Sequence, residues 1–239
     1  YPDGGILDEK NYPKWQDNYL NLLTSRDLPN WGLTAQPKTT QRLIKMLAVL
    51  NGQTLNSSQL GRSLDLSYNT INKYLDYLEG AFLVRRLGPF YSNLKKRLIK
   101  SPKIYWRDSG LLNSIMNINS EDELLNQPWV GNLWEGFVIE QIISHLRLAD
   151  LKFDAFFMRT SDQYEIDLLL DFVKSLWAVE IKLTSSPSVG VMKKFNNIAD
   201  MIKADKRILI SRTVKNQSSG SNISCNLKYF LETVIPGLK

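Results

Sequence analysis

The sequence predicts a protein of the α/β (α+β) class, with a mostly helical N-terminal part and a C-terminal part of mixed strands and helices. Apolar residues recur with helical spacing in several segments between residues 12 and 80. Two later segments, 165–170 and 178–183, alternate polar and apolar residues with a period of two, which is typical of strands with one buried face. The 239 residues are enough for two modest domains or a single large one.

Composition narrows the classes of function. The single cysteine, Cys225, and the single histidine, His145, argue against a cysteine-rich zinc site, a multi-histidine metal site and a Ser-His-Asp triad. The sequence contains no G-x-x-x-x-G-K-[ST] phosphate loop, so this chain is not expected to hydrolyse ATP by itself. No apolar run approaches the roughly 20 residues of a membrane span, and no signal peptide is visible. We therefore expect a cytoplasmic protein without a membrane partner.

Charge is distributed unevenly along the chain. The net charge is +6, but residues 38–107 contain thirteen Lys and Arg against three acids, a local charge of +10 that leaves −4 for the remainder. A basic middle beside an acidic remainder suggests a polyanionic partner, and DNA is the partner we expect. A basic surface that only keeps the protein soluble is the alternative.

Residues 1–36 are predicted to form a lead-in helix and a linker. Aromatic and leucine side chains with helical spacing predict a helix from about Tyr12 to Arg26. Pro29, Gly32 and Pro37 then indicate an irregular connection to the next domain.

Residues 37–116 are predicted to form a winged helix-turn-helix domain, because three helices precede a two-stranded hairpin. The predicted helices are Thr39–Leu50, Ser57 as N-cap to about Leu64, and Tyr68–Glu79 with Ser67 as N-cap and Gly80 as the stop. The predicted hairpin has strands at Phe82–Leu87 and Ile104–Trp106, with Gly88-Pro89 as a turn. A short helix, Leu111–Met116, follows, and residues 117–128 are expected to form a loop.

The third helix of such a domain usually enters the major groove of DNA. Its predicted nucleic-acid-binding residues are Tyr68, Asn69, Thr70, Asn72 and Lys73, and the hairpin adds Arg85, Arg86, Lys95, Lys96 and Arg97. Asparagine can read adenine, whereas Lys73 and Thr70 are expected to contact phosphate. Winged helices also serve as docking modules, so a protein partner stays open as an alternative.

Residues 129–239 are predicted to form a second, mixed α/β domain. The predicted elements are a helix at Val130–Leu146, a strand at Phe153–Arg159, the two alternating strands, a helix after Ser188, a strand at Lys206–Ser211 and a closing helix at Leu227–Val234. The polar stretch 217–222 is expected to be a mobile loop.

The two alternating strands carry the candidate site. Glu165 and Asp167 share one face of the first strand, and Glu180 and Lys182 share one face of the second. If the strands pair as a hairpin, hard carboxylate oxygens suited to magnesium converge beside an ammonium group. Cross-strand ion pairs on a half-exposed sheet are the alternative. On the preceding helix Glu135 lies against an apolar flank, which is costly without a partner, so it is either a further acid of the site or a partly solvated boundary residue.

Asp167 followed by Glu180-Ile181-Lys182 resembles the constellation of PD-(D/E)XK nucleases. The whole chain resembles the C-terminal half of prokaryotic, archaeal-type AAA+ ATPases, in which a winged helix and a PD-(D/E)XK-like domain of unknown function follow the ATPase. The matching segments are Tyr1-Pro2-Asp3, Tyr19 to Asp27, Tyr91 to Tyr105, Asp108 to Leu111, Glu135, Glu165-Ile166-Asp167 and Glu180-Ile181-Lys182.

This resemblance implies a restriction-endonuclease-like second domain that uses Mg²⁺, with Mn²⁺ as a substitute. It implies that Asp167, Glu180 and Glu135 hold the metal, that Lys182 joins them in catalysis, and that Glu165 supports the ligands. ATP would bind only in an upstream ATPase module, which is the expected partner. The function implied is that of a DNA-associated, nuclease-like effector; the alternative is an inactive nuclease fold that docks DNA or a protein for the ATPase.

Overall fold

The structure, a computed structural model, describes residues 12–90, 98–162 and 164–238. The chain divides into two compact units that are interleaved in sequence. The first unit contains Tyr1–Arg86 and Ile104–Val130, and the second contains Leu87–Lys103 and Gly131–Lys239. Helices and one mixed sheet confirm the predicted α+β class.

The first unit is mostly helical. Its helices are α1 (Tyr12–Leu22), which continues through a π-helical turn (Leu23–Asp27) into α2 (Leu28–Asn30), then α3 (Pro37–Val49), α4 (Ser57–Leu64), α5 (Tyr68–Gly80), α6 (Ser109–Ile115) and α7 (Glu121–Leu125). Strands β1 (Val84–Pro89) and β2 (Lys103–Trp106) lie side by side; the first half of β1 and all of β2 except Lys103 belong to this unit. The predicted succession of three helices and two strands is confirmed.

The start of α4 differs from the prediction. Asn56, not Ser57, is the N-cap: its side chain accepts a hydrogen bond from the backbone N–H of Gln59 at 3.0 Å. Ser57 is the first helical residue, and its hydroxyl donates to Asn72 Oδ1 at 3.0 Å, which links α4 to α5. The predicted cap of α5 is confirmed, because the Ser67 side chain accepts from the N–H of Thr70 at 3.1 Å.

The turn between α4 and α5 requires a glycine. A Cβ at Gly61 would lie 2.5 Å from the carbonyl oxygen of Leu66, and that residue's N–H already donates to Gly61 O at 2.9 Å. We therefore expect Gly61→Ala to lower the free energy of unfolding of the first unit by about 1–3 kcal/mol, since backbone must move to admit the methyl group.

Gly80 at the end of α5 is the matched control for this substitution. A Cβ there meets nothing within 4 Å, so Gly80→Ala is expected to be neutral or to stabilise by up to about 1 kcal/mol. Urea unfolding followed by far-UV circular dichroism measures both variants. Equal stability of Gly61→Ala and Gly80→Ala would contradict the close packing of this turn.

Three segments predicted to be irregular are regular. Pro29 lies inside the continuous helical run, as the second residue of α2, directly after the π-helical turn. The predicted loop at 117–128 contains α7, whose N-cap Ser120 accepts from the N–H of Glu123. The predicted turn Gly88-Pro89 is the end of β1, where Gly88 and Pro89 pair in parallel with Phe156 and Phe157. This pairing holds the end of β1 in the second unit.

The second unit is built on a sheet. Its elements are α8 (Val130–Leu148), β3 (Phe153–Arg159), β4 (Glu165–Phe172), β5 (Ser175–Ile181), α9 (Val189–Met201), β6 (Lys206–Ile210), β7 (Gln217–Ser219), β8 (Asn222–Cys225), α10 (Leu227–Tyr229), a π-helical turn (Phe230–Val234) and a 3₁₀ turn (Pro236–Leu238). The strand order in this unit is β1-β3-β4-β5-β6-β8-β7. The predicted mobile loop at 217–222 is wrong, since β7 and β8 pair there as a hairpin.

Strands β4 and β5 lie in the middle of this sheet and are buried on both faces. The prediction of a single buried face is therefore wrong for β4, in which Ile166, Leu168, Leu169 and Leu170 are fully buried. A central strand covered on both sides reads as a continuous apolar run, and Leu168-Leu169-Leu170 is such a run. Apolar side chains of helix α9 form a hydrophobic cluster with Ile166 and Leu169.

Within residues 12–90, 98–162 and 164–238, no helix is long and apolar enough to cross a bilayer.

Candidate catalytic and metal-binding site

The predicted acids and lysine of the two central strands meet in one cavity of about 310 Å³. Glu165 and Asp167 come from β4, Glu180 comes from β5, and Lys182 follows β5 by one residue. The other wall is helix α9, which contributes Val191, Lys194, Phe195 and Ile198. The convergence predicted from the spacing of these residues is therefore present.

Asp167 is held where the β4–β5 ladder ends. The strand register runs from Phe172 opposite Ser175 to Leu168 opposite Val179. One residue beyond, the Asp167 carboxylate accepts a hydrogen bond from the backbone N–H of Ile181 at 2.8 Å. Asp167 is only 6% exposed. This backbone contact fixes the direction of a buried carboxylate and satisfies one of its oxygens.

Lys182 joins two of the acids. Its Nζ lies 2.6 Å from Glu180 Oε1 and 3.7 Å from Asp167 Oδ2. Burial lowers the pKa of Lys182, but the negative charges of Asp167 and Glu180 outweigh burial, so the pKa is raised. The backbone N–H of Lys182 donates to Ile210 O at 2.9 Å. The side chain is therefore protonated, and the backbone of Lys182 is anchored to β6.

The surroundings of Glu180 raise its pKa. Its side chain is largely buried. Burial raises the pKa of Glu180, the nearby charge of Asp167 raises it further, and Lys182 opposes both, so that the pKa reaches about 7. Burial and the charge of Asp167 therefore disfavour the ionised form of Glu180.

This raised pKa predicts a pH-dependent stability of the metal-free protein. The folded state holds the Glu180 proton more tightly than the unfolded chain does, so stability is lost as pH rises from about 4.5 to about 7. Glu180→Gln removes this loss and is expected to stabilise the protein at pH 8 by on the order of 1–3 kcal/mol. Urea unfolding in EDTA at pH 5 and pH 8 measures the difference.

The exposed Glu232 of the same unit provides the control. Glu232→Gln is expected to leave the pH dependence of the unfolding free energy unchanged. If wild type and Glu180→Gln lost the same stability between pH 5 and pH 8, the unfavourable ionisation of Glu180 would be refuted.

A second lysine, Lys103, belongs to the site, although the sequence alone does not predict it as a site residue. Its Nζ lies 2.9 Å from Glu135 Oε1 and 2.5 Å from Glu165 Oε1. The ammonium also lies 5.6 Å from the centre of the Phe157 ring. Burial lowers the pKa of Lys103, but the charges of Glu135, Asp167 and Glu165 outweigh burial and raise it. Lys103 is thus the partner that Glu135 requires beside its apolar flank.

The signal for Lys103 in the sequence is weak. Lys103 lies in the basic segment 38–107, which is expected to face DNA, whereas all four residues of Lys103–Trp106 are buried. A lysine directly before three large apolar residues is the only local hint of burial. Its two acid partners are 32 and 62 positions away, so pairing could not be read from local spacing.

The donor types of this cavity fit a hard divalent cation, although the arrangement is not a ready-made metal site. Among the described residues, no three His, Cys, Asp or Glu side chains form a group that could hold a metal ion. Asp167 and Glu180 offer carboxylate oxygens, as Mg²⁺ prefers. A cation would offset the burial and the repulsion from Asp167 that together raise the pKa of Glu180. Lys182 would first have to turn away from both acids.

The residues predicted to bind nucleic acid differ in what they contact. Tyr68, Asn69 and Lys73 are exposed on α5. Thr70 and Asn72 form side-chain hydrogen bonds with Ser67 and Ser57, respectively.

Arg86 is engaged within the first unit. Its guanidinium lies 2.7 Å from Asp76 Oδ1 and 2.6 Å from Glu79 Oε2. Its charge is therefore largely neutralised, while Arg85 is half-buried. The predicted residues Lys95, Lys96 and Arg97 lie outside the described residues.

These features define an α+β protein in which a helical unit is joined to a sheet unit with a buried carboxylate–lysine site. Residues 6–122 match the family described as a domain of unknown function, DUF8612. Residues 130–230 match a second domain of unknown function, DUF4143, which is common in C-terminal regions associated with AAA ATPases.

Two curated relatives are similar to most of the chain. The uncharacterized proteins Mb2031c of Mycobacterium bovis and Rv2008c of Mycobacterium tuberculosis are each 38% identical to it over 176 residues, which is 74% of this chain. The match covers 39% of each relative, so the chain spans about two fifths of their length. The crystal structure of protein VC1899 from Vibrio cholerae aligns with this chain at 14% sequence identity and a TM-score of 0.33. The alignment covers 93% of this chain and 55% of the VC1899 chain.

Proposed function

We propose that this chain is the DNA-associated, magnesium-dependent, nuclease-like effector region of an AAA+ ATPase. The observation that carries the proposal is the meeting of Asp167, Glu180 and Lys182 in one cavity at the end of β5. Two acids can hold a divalent cation, and a lysine beside them can stabilise the negative charge that develops during phosphodiester hydrolysis. The resemblance to PD-(D/E)XK nucleases supports the same assignment.

Each residue has a definite role in this proposal. Asp167 and Glu180 would hold the Mg²⁺ ion, and the hydrogen bond from Ile181 N–H keeps Asp167 in place. A bound Mg²⁺ would act as a Lewis acid toward a phosphate oxygen and would lower the pKa of a bound water. Once released from the two acids, Lys182 would stabilise negative charge on the phosphate or position the water. Glu165 supports the site through its contact with Lys103.

The first unit is proposed to be a winged helix that binds DNA. Its element order and the exposed Tyr68, Asn69 and Lys73 on α5 support this role. Contacts to phosphate would make DNA affinity fall with rising salt. The upstream partner in this proposal is an ATPase domain. It is supported by the resemblance and by the common occurrence of the second matched family in C-terminal regions associated with AAA ATPases.

A catalytically inactive docking module is the second candidate function. Its support is that each lysine of the site already contacts two of the acids: Lys103 contacts Glu135 and Glu165, and Lys182 contacts Asp167 and Glu180. Such a network can stabilise a scaffold without any metal. In that case the two units would couple the ATPase to DNA or to a protein partner.

Cleavage of plasmid and single-stranded DNA in Mg²⁺ or Mn²⁺ separates the two candidates. We expect wild-type cleavage that EDTA abolishes, and a loss of about 100-fold or more in Lys182→Met, because general acid–base and charge-stabilising groups contribute about 10²–10⁴-fold. The exposed Lys174 is the matched control, and Lys174→Met is expected to cleave like wild type. Absence of cleavage in wild type, or equal cleavage by Lys182→Met, would favour the docking module.

A further inference from the structure

We infer, on the basis of the proposed function, that Lys103 withdraws Glu135 and Glu165 from the metal-binding site. The site then holds a single divalent cation on Asp167 and Glu180, and Glu135 is not a ligand. This differs from the ligand set implied by the resemblance to the nuclease family, in which Glu135 contributes to metal binding. Lys103 is thus a positioning residue that sets the number of cations.

Lys103 forms ion pairs with both Glu135 and Glu165. Its Nζ lies 2.9 Å from Glu135 Oε1 and 2.5 Å from Glu165 Oε1. Distances of this size are those of charge-assisted hydrogen bonds. Glu165 is also approached by Arg159, whose Nε lies 3.7 Å from Oε2. A cation that used Glu135 or Glu165 would have to displace or repel a positive charge at each of them.

The two lysines of the site differ in the exposure of their side chains. The side chain of Lys103 is 3% exposed, whereas that of Lys182 is 39% exposed. Lys182 can therefore extend its ammonium into water and release Asp167 and Glu180 to a cation. Lys103 has no such path, because a buried ammonium that loses its carboxylates stays desolvated and unpaired. The four carboxylates therefore divide into an exchangeable pair, Asp167 and Glu180, which Lys182 can release, and a neutralised pair, Glu135 and Glu165, whose two charges are balanced by Lys103 together with Arg159.

The fixed charge of Lys103 also opposes a second cation. A divalent ion on Glu135 or Glu165 would lie within a few ångströms of a buried ammonium, where Coulomb repulsion is weakly screened. Removing the ammonium would free two carboxylates that point toward each other across Lys103. The stoichiometry of cation binding therefore reports directly on this residue.

Titration of the full chain with Mn²⁺ tests the inference, with free Mn²⁺ measured by electron paramagnetic resonance. We expect one Mn²⁺ per wild-type chain and a loss of affinity of at least 100-fold in Asp167→Asn. Glu135→Gln keeps the shape of the side chain, and we expect one Mn²⁺ with an affinity within about fivefold of wild type. Lys103→Met is expected to bind two Mn²⁺ per chain.

The outcomes distinguish this inference from the proposed function. If wild type bound no Mn²⁺, both would fail. If wild type bound one Mn²⁺ and Glu135→Gln lost more than fivefold in affinity, the cation site would stand and the exclusion of Glu135 would be overturned. Two Mn²⁺ in wild type, or one in a folded Lys103→Met, would equally overturn it. Because Glu135→Gln retains the contact geometry, the test does not depend on the folding of Lys103→Met.

Discussion

Replacing Asp167 by asparagine is expected to reduce metal-dependent DNA cleavage by about 100-fold or more while leaving the protein folded. The amide is isosteric with the carboxylate and can still accept the hydrogen bond from Ile181 N–H. It lacks the negative charge that a hard cation requires. Loss of an outer partner of a metal ligand already costs 10–100-fold, so loss of the ligand itself should cost at least as much.

Asp171→Asn is the control for this effect. Asp171 lies on the same strand, four residues further, and is exposed away from the site cavity. We expect it to cleave at the wild-type rate, in an assay of supercoiled plasmid nicking with thermal unfolding measured in parallel. Wild-type cleavage by Asp167→Asn would remove Asp167 from the catalytic set and with it the assignment of β4 as the metal-binding strand.

Replacing Lys103 by methionine is expected to lower the free energy of unfolding of the metal-free protein by about 3–5 kcal/mol. Breaking a buried ion pair by removing one partner leaves the other charge desolvated and uncompensated. Here two carboxylates, those of Glu135 and Glu165, would lose their shared ammonium. The methionine retains most of the apolar volume near Phe157, so the loss reports on charge more than on packing.

The exposed Lys100 offers a lysine control three residues earlier. Lys100→Met is expected to change stability by less than about 0.5 kcal/mol. Urea unfolding in EDTA at pH 8 and pH 5 measures both variants. The Lys103→Met defect should shrink at pH 5, because protonation of the two acids removes the unpaired charge. A defect as small as that of Lys100→Met would show that Lys103 is not the buried counter-ion of the site.

The spacing of the acids was enough to predict the exchangeable half of the site. Alternation placed Asp167 on β4 and Glu180 on β5, and antiparallel pairing brought them together with Lys182. Register is a local property of a hairpin with a short turn, so sequence carries it. The neutralised half was not predictable, because Lys103 reaches its partners only through tertiary packing.

Several errors in the fold have the same origin. Gly88-Pro89 has the composition of a turn, yet it extends β1 because β3 provides parallel partners. The Ser- and Asn-rich stretch at 217–222 has the composition of a loop, yet β7 and β8 form there because β6 offers an edge. In each case a distant strand supplied hydrogen bonds that local preference does not register.

By itself, the sequence determined most of the helices and strands, and the residue types and spacing of Asp167, Glu180 and Lys182, because these depend on periodicities of 3.6 and 2.0 residues. Only the tertiary structure decided that β4 is covered on both faces and that Lys103 is buried between Glu135 and Glu165. Burial sets the cost of separating a charge from its partner, and burial is a property of the packed chain. The difference between the two lysines of the site is therefore a consequence of packing rather than of residue type.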